Sequence, residues 1–411
     1  METEAATCTM PTWLSIVGIG EDGLDGLSSV ARRLVSSAEL VVGGTRHLEM
    51  AGNLVQGRKL AWSNPLDSSL QEIALHRGRP VAVLASGDPF HFGIGKQLAA
   101  IVAADEFVCL PQPSAYSLAA ARVGWALQDV ALVTLHGRAL EGIIRYLQPG
   151  ARILALSWDG ATPARLAALL TARGMGHSRI TVLEAMGGLR ERRRSGTAAH
   201  FHIENVDALN TIAVEVLCEP GAMTVSFAPG LDDACFESDG QLTKREIRAM
   251  TLSALEPRHG ELLWDVGLGA GSVAIEWLLR HPSLSAIGIE AHTDRADRAA
   301  RNAAALGVPD MRIVQGEAPQ ALHGLARPDA VFIGGGMGDE GVFEAVWDAL
   351  KPRGRLVVNG VSLETESRLA NLFHQHGGEL VRFQVTRADR VGSMYGWRPA
   401  MPVTQWRVRK T

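Results

Sequence analysis

Short apolar runs alternate with amphipathic stretches along nearly the whole chain. In the first half, apolar runs at 13–17, 40–42, 80–84, 131–135, 152–156, 180–183 and 211–217 predict strands. Segments 28–37, 94–103 and 163–173 repeat their apolar positions at helical spacing and predict helices between those strands. The rhythm breaks over 219–240, which carries Pro220, Gly221, Pro229, Gly230 and Gly240 beside the acidic pair Asp232-Asp233. Such a stretch reads as an interdomain connector. From Leu242 the alternation resumes. A helix is expected over 243–255, with Thr243 as N-cap and Glu246 at the capping-box position. Strands are expected at 262–266, 286–290, 311–314, 330–333, 355–358 and 378–385. The prediction is an α/β protein in two domains, 12–217 and 241–411, joined by a linker at 218–240. Neither a short internal repeat nor a low-complexity segment is visible.

Composition narrows the class. A chain of 411 residues exceeds one ordinary core. Its 46% hydrophobic and 20% charged residues suit a soluble globular protein. The net charge of −4 gives no support for binding nucleic acid. The start Met1-Glu2-Thr3-Glu4 is acidic and lacks the form of a secretory signal. Charges interrupt every apolar run before membrane-spanning length, so no membrane partner is expected. Cys8, Cys109, Cys218 and Cys235 are scattered without a Cys-x-x-Cys pair, which points to no metal site and no disulfide framework. Reduced thiols and a cytoplasmic location follow. Trp62, Trp125, Trp158, Trp264, Trp277 and Trp347 sit in apolar contexts and are expected in the core.

The sharpest chemical signal lies in the second half. Leu262 to Val266 runs into Gly267-Leu268-Gly269-Ala270-Gly271-Ser272, and Glu290 ends the next apolar run. Glycines let backbone approach a ligand, and the acid can accept hydrogen bonds from ribose hydroxyls. A dinucleotide fingerprint would want glycine where Ser272 stands. The pattern is instead Gly-x-Gly-x-Gly after an acid, Asp265. That form suits S-adenosylmethionine, which has no pyrophosphate to seat on the helix N-terminus. Gly316-Glu317-Ala318 follows the strand expected at 311–314, a place where an acid or amide faces the adenine. Phe332-Ile333-Gly334-Gly335-Gly336 leaves room at the carboxyl edge of the sheet, where open α/β sheets bind ligands.

The first half carries a different set of turns at strand ends. They are Val17-Gly18-Ile19-Gly20, Gly43-Gly44-Thr45-Arg46-His47-Leu48, Ser86-Gly87-Asp88-Pro89, Pro113-Ser114-Ala115, Leu135-His136-Gly137-Arg138 and Glu184-Ala185-Met186-Gly187-Gly188. Any one alone reads as an ordinary turn.

Taken together, these turns resemble the tetrapyrrole methylase family, over about residues 12–217. Thr243-Lys244-Arg245-Glu246-Ile247-Arg248, Trp264-Asp265-Val266-Gly267, Gly316-Glu317-Ala318-Pro319, Phe332-Ile333-Gly334-Gly335 and Leu356-Val357-Val358-Asn359 resemble the decarboxylating precorrin methyltransferases of cobalamin synthesis, over about 240–385. Glu317 departs from that pattern, where aspartate is expected. The resemblance implies a two-lobed tetrapyrrole methylase fold followed by a Rossmann-like class I methyltransferase fold. It implies S-adenosylmethionine at both sites: Gly18, Gly20, Gly87, Asp88, Ser114, Ala115, His136 and Gly137 in the first, and Asp265, Gly267, Gly269, Gly271, Ser272, Glu290, Gly316, Glu317 and Ala318 in the second. It further implies a precorrin-6 substrate methylated at carbons 5 and 15, with loss of the ring C acetate carboxyl, and Gly335 and Asn359 at the substrate. A homo-oligomer is expected.

A meso carbon of a reduced tetrapyrrole is already nucleophilic, so methyl transfer mainly needs alignment and exclusion of water, and no triad is demanded. Decarboxylation asks for a proton donor, for which His323 and Tyr395 are candidates beside bland surface or core roles. A polycarboxylate substrate calls for arginines. Arg190 to Arg194 read better as a solvated face. Arg387 and Arg390, with Arg398, lie near Gly392-Ser393-Met394-Tyr395-Gly396-Trp397, a loop that could cover a flat macrocycle. Two other classes compete. An NAD-dependent reductase would reuse the glycine turn and Glu290, against which Ser272 argues. A tetrapyrrole carrier with one inactive methyltransferase domain would bind without transferring.

Overall fold

The computed structural model describes residues 12–411, so Met1-Glu2-Thr3-Glu4 and Cys8 lie outside the described residues. The chain forms two compact units. The first holds residues up to Arg138 together with Gln148–Met223, and the second holds Ala139–Leu147 together with Thr224–Thr411.

The first unit contains two five-stranded sheets. Strands β1 (Leu14–Ile19), β2 (Leu40–Gly43), β3 (Arg58–Ala61), β4 (Val81–Ser86) and β5 (Phe107–Leu110) run parallel in the order β3-β2-β4-β1-β5. Helices α1 (Ser29–Ser37), α2 (Thr45–Ala51), α3 (Asp67–Leu75) and α4 (Gly95–Ala99) accompany them. The mostly apolar sequence of β1, interrupted only by Ser15 and Gly18, has its cause here, because both faces are covered. Val17 and Ile19 join Ala31 and Val35 of α1 and Leu48 of α2, whereas Leu14 and Ile16 join Ile73 of α3 and Leu98 of α4. Ser28 caps α1 by accepting from the Ala31 N–H at 3.1 Å. After α5 (Ala115–Val123), the second sheet is built from β6 (Ala131–Thr134), β7 (Arg152–Leu156), β8 (Arg179–Glu184), β9 (Arg192–Thr197) and β10 (Asn210–Glu215), with α6 (Thr162–Ala172) after β7. Its order is β6-β7-β10-β8-β9, and only β6 and β7 are parallel neighbours. Tyr116, Ala119 and Ala120 of α5 bury against Leu154, Leu183 and Ala213 of this sheet.

The second unit is one seven-stranded sheet and a separate hairpin. Helix α7 (Arg245–Leu255) precedes β11 (Leu262–Val266), α8 (Ser272–Arg280), β12 (Ser285–Glu290), α9 (Thr293–Ala305) and β13 (Arg312–Gln315). Then come β14 (Ala330–Ile333), α10 (Val342–Ala349), β15 (Arg355–Gly360), α11 (Leu363–His376) and β16 (Glu379–Phe383). The hairpin β17 (Thr386–Val391) and β18 (Met394–Pro399) leads to β19 (Val403–Arg409). The order is β13-β12-β11-β14-β15-β19-β16, with β19 antiparallel to both neighbours. Chain order reverses between β11 and β14, which opens a crevice at their carboxyl ends. Trp264, Val331, Leu356 and Trp406 fill the core below.

Several expectations change. The helix expected from Thr243 starts at Arg245, with Lys244 as N-cap and no side-chain cap. Glu246 pairs with Arg387 instead of closing a capping box, and the Thr243 carbonyl is taken by the Arg248 guanidinium. The helix expected at 94–103 is shorter, Gly95–Ala99, and its start is packed against the Pro89 carbonyl through Gly93 and Gly95. Trp158 is 52% exposed rather than core, whereas Trp264 and Trp277 are buried. Much of the connector is not loose: Val225, Leu231 and Phe236 are buried, and Glu276 accepts the N–H groups of Gly230 and Leu231. Arg190, Arg192 and Arg193 are exposed, as a solvated face requires, but Arg192 and Arg194 also reach inward. These last two belong to β9 and bind the fully buried Glu184, while Arg190 pairs with Asp207. Cys109, Cys218 and Cys235 are free thiols. Among the described residues, no helix is long and apolar enough to cross a membrane.

Candidate functional site

In the second unit, β11 ends in a turn whose Gly267, Gly269 and Gly271 all have positive φ, at 75°, 56° and 77°. A side chain at any of them would be strained. At Gly267 it would also come within 3.0 Å of the Gly335 backbone, so the turns after β11 and β14 touch. Gly271 caps α8, and Ser272 is its first, buried residue. Glu290, at the end of β12, is 5% exposed. Its Oε2 accepts the Gly269 N–H at 2.8 Å and its Oε1 accepts the His292 N–H at 3.0 Å. Its carbonyl accepts the Gly316 N–H at 2.9 Å. One acid thus ties three turns of the carboxyl edge together.

Asp265 is buried below that turn. Its Oδ2 accepts the Ala274 N–H at 3.0 Å, and its Oδ1 is buried with no hydrogen-bond partner. Burial pushes the carboxyl up to about 7; the Ala274 N–H opposes this, and the nearby Glu290 charge adds to it. An orphaned carboxylate oxygen under a glycine turn fits a cationic ligand group. The open space around Gly335, where an added Cβ would meet nothing within 4 Å, fits a ligand beside it.

The remaining candidates divide. Glu317 is exposed at the turn after β13, and Ala318 packs against the sheet core. Asn359, near the end of β15, has its carboxamide fixed: Nδ2 donates to Thr251 Oγ1 at 3.0 Å, and Oδ1 accepts from Gln405 at 2.9 Å. Arg387 and Arg390 sit on the separate hairpin. The first pairs with Glu246, and the second lies 5.9 Å over the Tyr395 ring. Arg398 pairs with Asp389 on the same hairpin. His323 is exposed after a short 3₁₀ turn. Tyr395 is 70% exposed.

In the first unit the parallel sheet brings three turns together at its carboxyl edge. A Cβ on Gly18 would fall 2.0 Å from the Gly87 carbonyl oxygen and 2.6 Å from the Gln112 nitrogen. One on Gly87, whose φ is +52°, would fall 2.9 Å from the Pro113 carbonyl oxygen and 3.1 Å from the Ser114 Cα. Gly18, Gly87 and Ser114 therefore share one crowded spot. Ser114 caps α5 by accepting the Ser117 N–H at 3.2 Å, and Ala115 opens that helix. Asp88 is partly exposed and accepts the Phe90 N–H through Oδ1 at 2.9 Å, which closes its turn. Gly20 lies against the Asp22 side chain. His136 and Gly137 are exposed after β6, with the His136 ring 6.4 Å from Trp158.

Two site features escaped the sequence reading. His47 Nε2 meets Ser86 Oγ at 2.9 Å beside the Asp88 turn. The glycine pair before His47 marked a turn, but nothing in the linear spacing joins residues so far apart. Gln405, which orients Asn359, lies on β19, a strand the apolar pattern did not show.

Residues 14–201 match the family described as Tetrapyrrole (Corrin/Porphyrin) Methylases, and residues 234–410 match the one described as Precorrin methyltransferase domain. A protein of Sinorhizobium sp. named precorrin-6Y C(5,15)-methyltransferase [decarboxylating] is 53% identical, covering 96% of this chain and 95% of its own. A Mycobacterium tuberculosis protein of the same name is 41% identical over 96% of this chain and 99% of its own. A Salmonella typhi protein named cobalt-precorrin-6B C(15)-methyltransferase (decarboxylating) is 34% identical over 39% of this chain and 85% of its own. The solved C-terminal domain of precorrin-6Y C5,15-methyltransferase from Rhodobacter capsulatus is 45% identical, covers 45% of this chain and 100% of that one, and has a TM-score of 0.43. Neither the reductase nor the carrier reading finds support among these relatives. The likeness runs from end to end at more than half identity, and both halves match methylase families, so the chain belongs to the precorrin-6Y C(5,15)-methyltransferase (decarboxylating) family.

Proposed function

We propose that this enzyme methylates precorrin-6B, or its cobalt-containing counterpart, at carbons 5 and 15, and removes the carboxyl of the ring C acetate, giving precorrin-8. The observation that carries the reading is the pairing of Asp265 and Glu290 around the Gly267–Gly271 turn, in a chain similar to its relatives over its whole length. The methyl donor is S-adenosylmethionine, which supplies an electrophilic methyl group when bound. In the second unit Asp265 faces its cationic methionine portion, Glu290 turns from the Gly269 N–H to the ribose hydroxyls, and Gly316, Glu317 and Ala318 border the adenine. Gly335 and Asn359 border the macrocycle, and Arg387 and Arg390 meet its carboxylates. In the first unit Gly18, Gly20, Gly87, Asp88, Ser114, Ala115, His136 and Gly137 hold a second donor.

The shorter Salmonella typhi relative supports a division of labour, since a length that fits one half carries both the carbon 15 and decarboxylating activities in its name. The second unit then decarboxylates and methylates carbon 15, and the first methylates carbon 5. We assign the two activities to domains at about 12–217 and 241–411, in a cytoplasmic homo-oligomer. Incubation of the full chain with precorrin-6B and S-adenosylmethionine tests the reading by product mass. Two methyl groups gained and one carbon dioxide lost are expected; an unmethylated ring, or binding without turnover, would overturn it.

A further inference from the structure

His47 and Ser86 form a pair that the assignments above do not use. His47 lies on α2 and Ser86 ends β4, one residue before Gly87 and two before Asp88. Their Nε2 and Oγ atoms are 2.9 Å apart. Arg46 Nη2 donates to the same Nε2 at 3.2 Å and reaches Ser86 Oγ at 3.4 Å. A guanidinium only donates, so Nε2 is the nitrogen without a proton, and the Ser86 hydroxyl can hand its own proton to it. His47 Nδ1 is buried without a partner beside Gly44. The Nε2 acceptor is thus shared between the Arg46 guanidinium and, at the shorter distance, an exposed hydroxyl at the sheet's carboxyl edge.

The charged groups around the pair keep the imidazole neutral. Burial and the Arg46 charge lower His47 to about 4. Arg46 is itself paired with Glu21, and Arg190 and Asp207 face it from the second sheet of the unit. Asp88 is the carboxylate nearest in sequence to Ser86.

Resting on the assignment of carbon 5 methylation to the first unit, we propose that Ser86 and His47 form the proton-accepting relay of that step. Replacing hydrogen by methyl at a meso carbon requires a proton acceptor. The ring carbon's electron pair forms the new C–C bond, the S–CH₃ bond breaks with its pair remaining on sulfur, and S-adenosylhomocysteine leaves. The carbon now carries both hydrogen and methyl on a cationic ring. Its C–H bond breaks, that pair restores conjugation, and the proton passes to Ser86 Oγ as the hydroxyl proton moves to His47 Nε2. A proton leaving a cationic centre is strongly acidic, so a weak base suffices provided it is unprotonated.

The test uses the full-length protein with Ser86→Ala and His47→Gln, precorrin-6B and S-adenosylmethionine. Ser86 is exposed, so its variant keeps the test sound even where His47→Gln folds poorly. Carbon 5 methylation is expected to slow by about 10²–10⁴-fold, the usual range for removing a proton-transfer group. Carbon 15 methylation, carbon dioxide release and S-adenosylhomocysteine binding are expected to stay unchanged. Nitrogen NMR of the imidazole supplies a readout apart from turnover: a neutral ring protonated at Nδ1 is expected at neutral pH. Both variants methylating carbon 5 at the normal rate, or a doubly protonated His47, would overturn the relay alone. A wild-type protein that methylates carbon 15 but never carbon 5 would overturn the assignment beneath it.

Discussion

Arg248 Nε donates to Glu276 Oε1 at 2.5 Å, and both side chains are fully buried. The pair does more than join α7 to α8. Glu276 also accepts the Gly230 and Leu231 N–H groups at 2.6 and 2.9 Å, and the Arg248 guanidinium donates to the Leu231 carbonyl and stacks 4.7 Å from the Phe236 ring. This ion pair fastens the end of the connector together with Arg248–Asp233, Arg301–Glu237 and Arg295–Asp239. Removing one partner leaves the other charge buried and unpaired, which costs about 3–5 kcal/mol. Arg248→Met and Glu276→Leu should each lower the stability of the second unit by that order, and the double variant should lose less than the sum, though not recover fully because the Gly230 and Leu231 backbone groups stay unpaired. Denaturant unfolding followed by the buried Trp264 and Trp277 measures it. Additive losses in the double variant would show that the two charges are not coupled.

Glu290 holds the Gly269 N–H until a ribose competes for its carboxylate. Glu290→Ala should weaken S-adenosylhomocysteine binding in the second unit by about 1.5–3 kcal/mol, the range for hydrogen bonds to a charged group. Carbon 15 methylation should fail, with carbon 5 methylation largely intact. Calorimetry on the full-length variant and product mass give the two readouts. Unaltered binding would remove Glu290 from the site.

Asp265 makes the second unit sensitive to pH, and the sign follows from the direction of its shift. The unfolded carboxyl has a pKa near 3.8 and the folded one about 7. Between those values the folded state holds the extra proton, so its stability is full at the acid end and falls as pH rises toward 7. The slope from this group is on the order of 1 kcal/mol per pH unit. Cofactor binding moves the opposite way. A cationic ligand favours the ionised carboxylate, so affinity for S-adenosylmethionine should increase as pH rises through 7, with release of a proton. Asp265→Asn should flatten both profiles. A binding constant of the wild type that is level from pH 6 to 8 would contradict the assignment.

Asp88 closes its own turn by accepting the Phe90 N–H, and its partial exposure leaves room for the rest of its carboxylate to meet a ligand. Asp88→Ala should abolish carbon 5 methylation while lowering stability by only about 0.5–1.5 kcal/mol, the worth of one hydrogen bond. The product should then carry one new methyl group and lack the acetate carboxyl. Two methyl groups at the normal rate would make the turn structural only.

Most strands and the glycine turns that end them were legible because they depend on local rules. Buried parallel strands need mainly apolar residues, as in β4 and β14, and tight turns at their carboxyl ends need glycine. What escaped depends on partners remote in sequence. β9 reads Arg-Arg-Arg-Ser-Gly-Thr and has no apolar signature, since it is a largely exposed edge strand held by its backbone ladder to β8, with Glu184 receiving Arg192 and Arg194. The capping residue expected at Thr243 lost to Arg248, which takes that carbonyl from the next turn of the helix. The His47–Ser86 contact spans two elements that adjoin only because β2 pairs with β4 in register.

Gly18 and Gly20 sit in one turn and looked equivalent in the sequence, yet the structure separates them. A Cβ at Gly18 would lie 2.0 Å from the Gly87 carbonyl oxygen and 2.6 Å from the Gln112 nitrogen, both backbone atoms of neighbouring turns. Neither can yield without moving the Asp88 turn or the start of α5. A Cβ at Gly20 would meet first the Asp22 Oδ1 at 2.6 Å, the end of a side chain that can rotate away. Gly18→Ala should therefore destabilise the first unit by about 1–3 kcal/mol, as overpacking does, and should abolish carbon 5 methylation. Gly20→Ala should retain the fold. Thermal unfolding of the two variants beside carbon 5 product analysis makes the comparison, and equal tolerance at both positions would mean that the three turns do not converge as described.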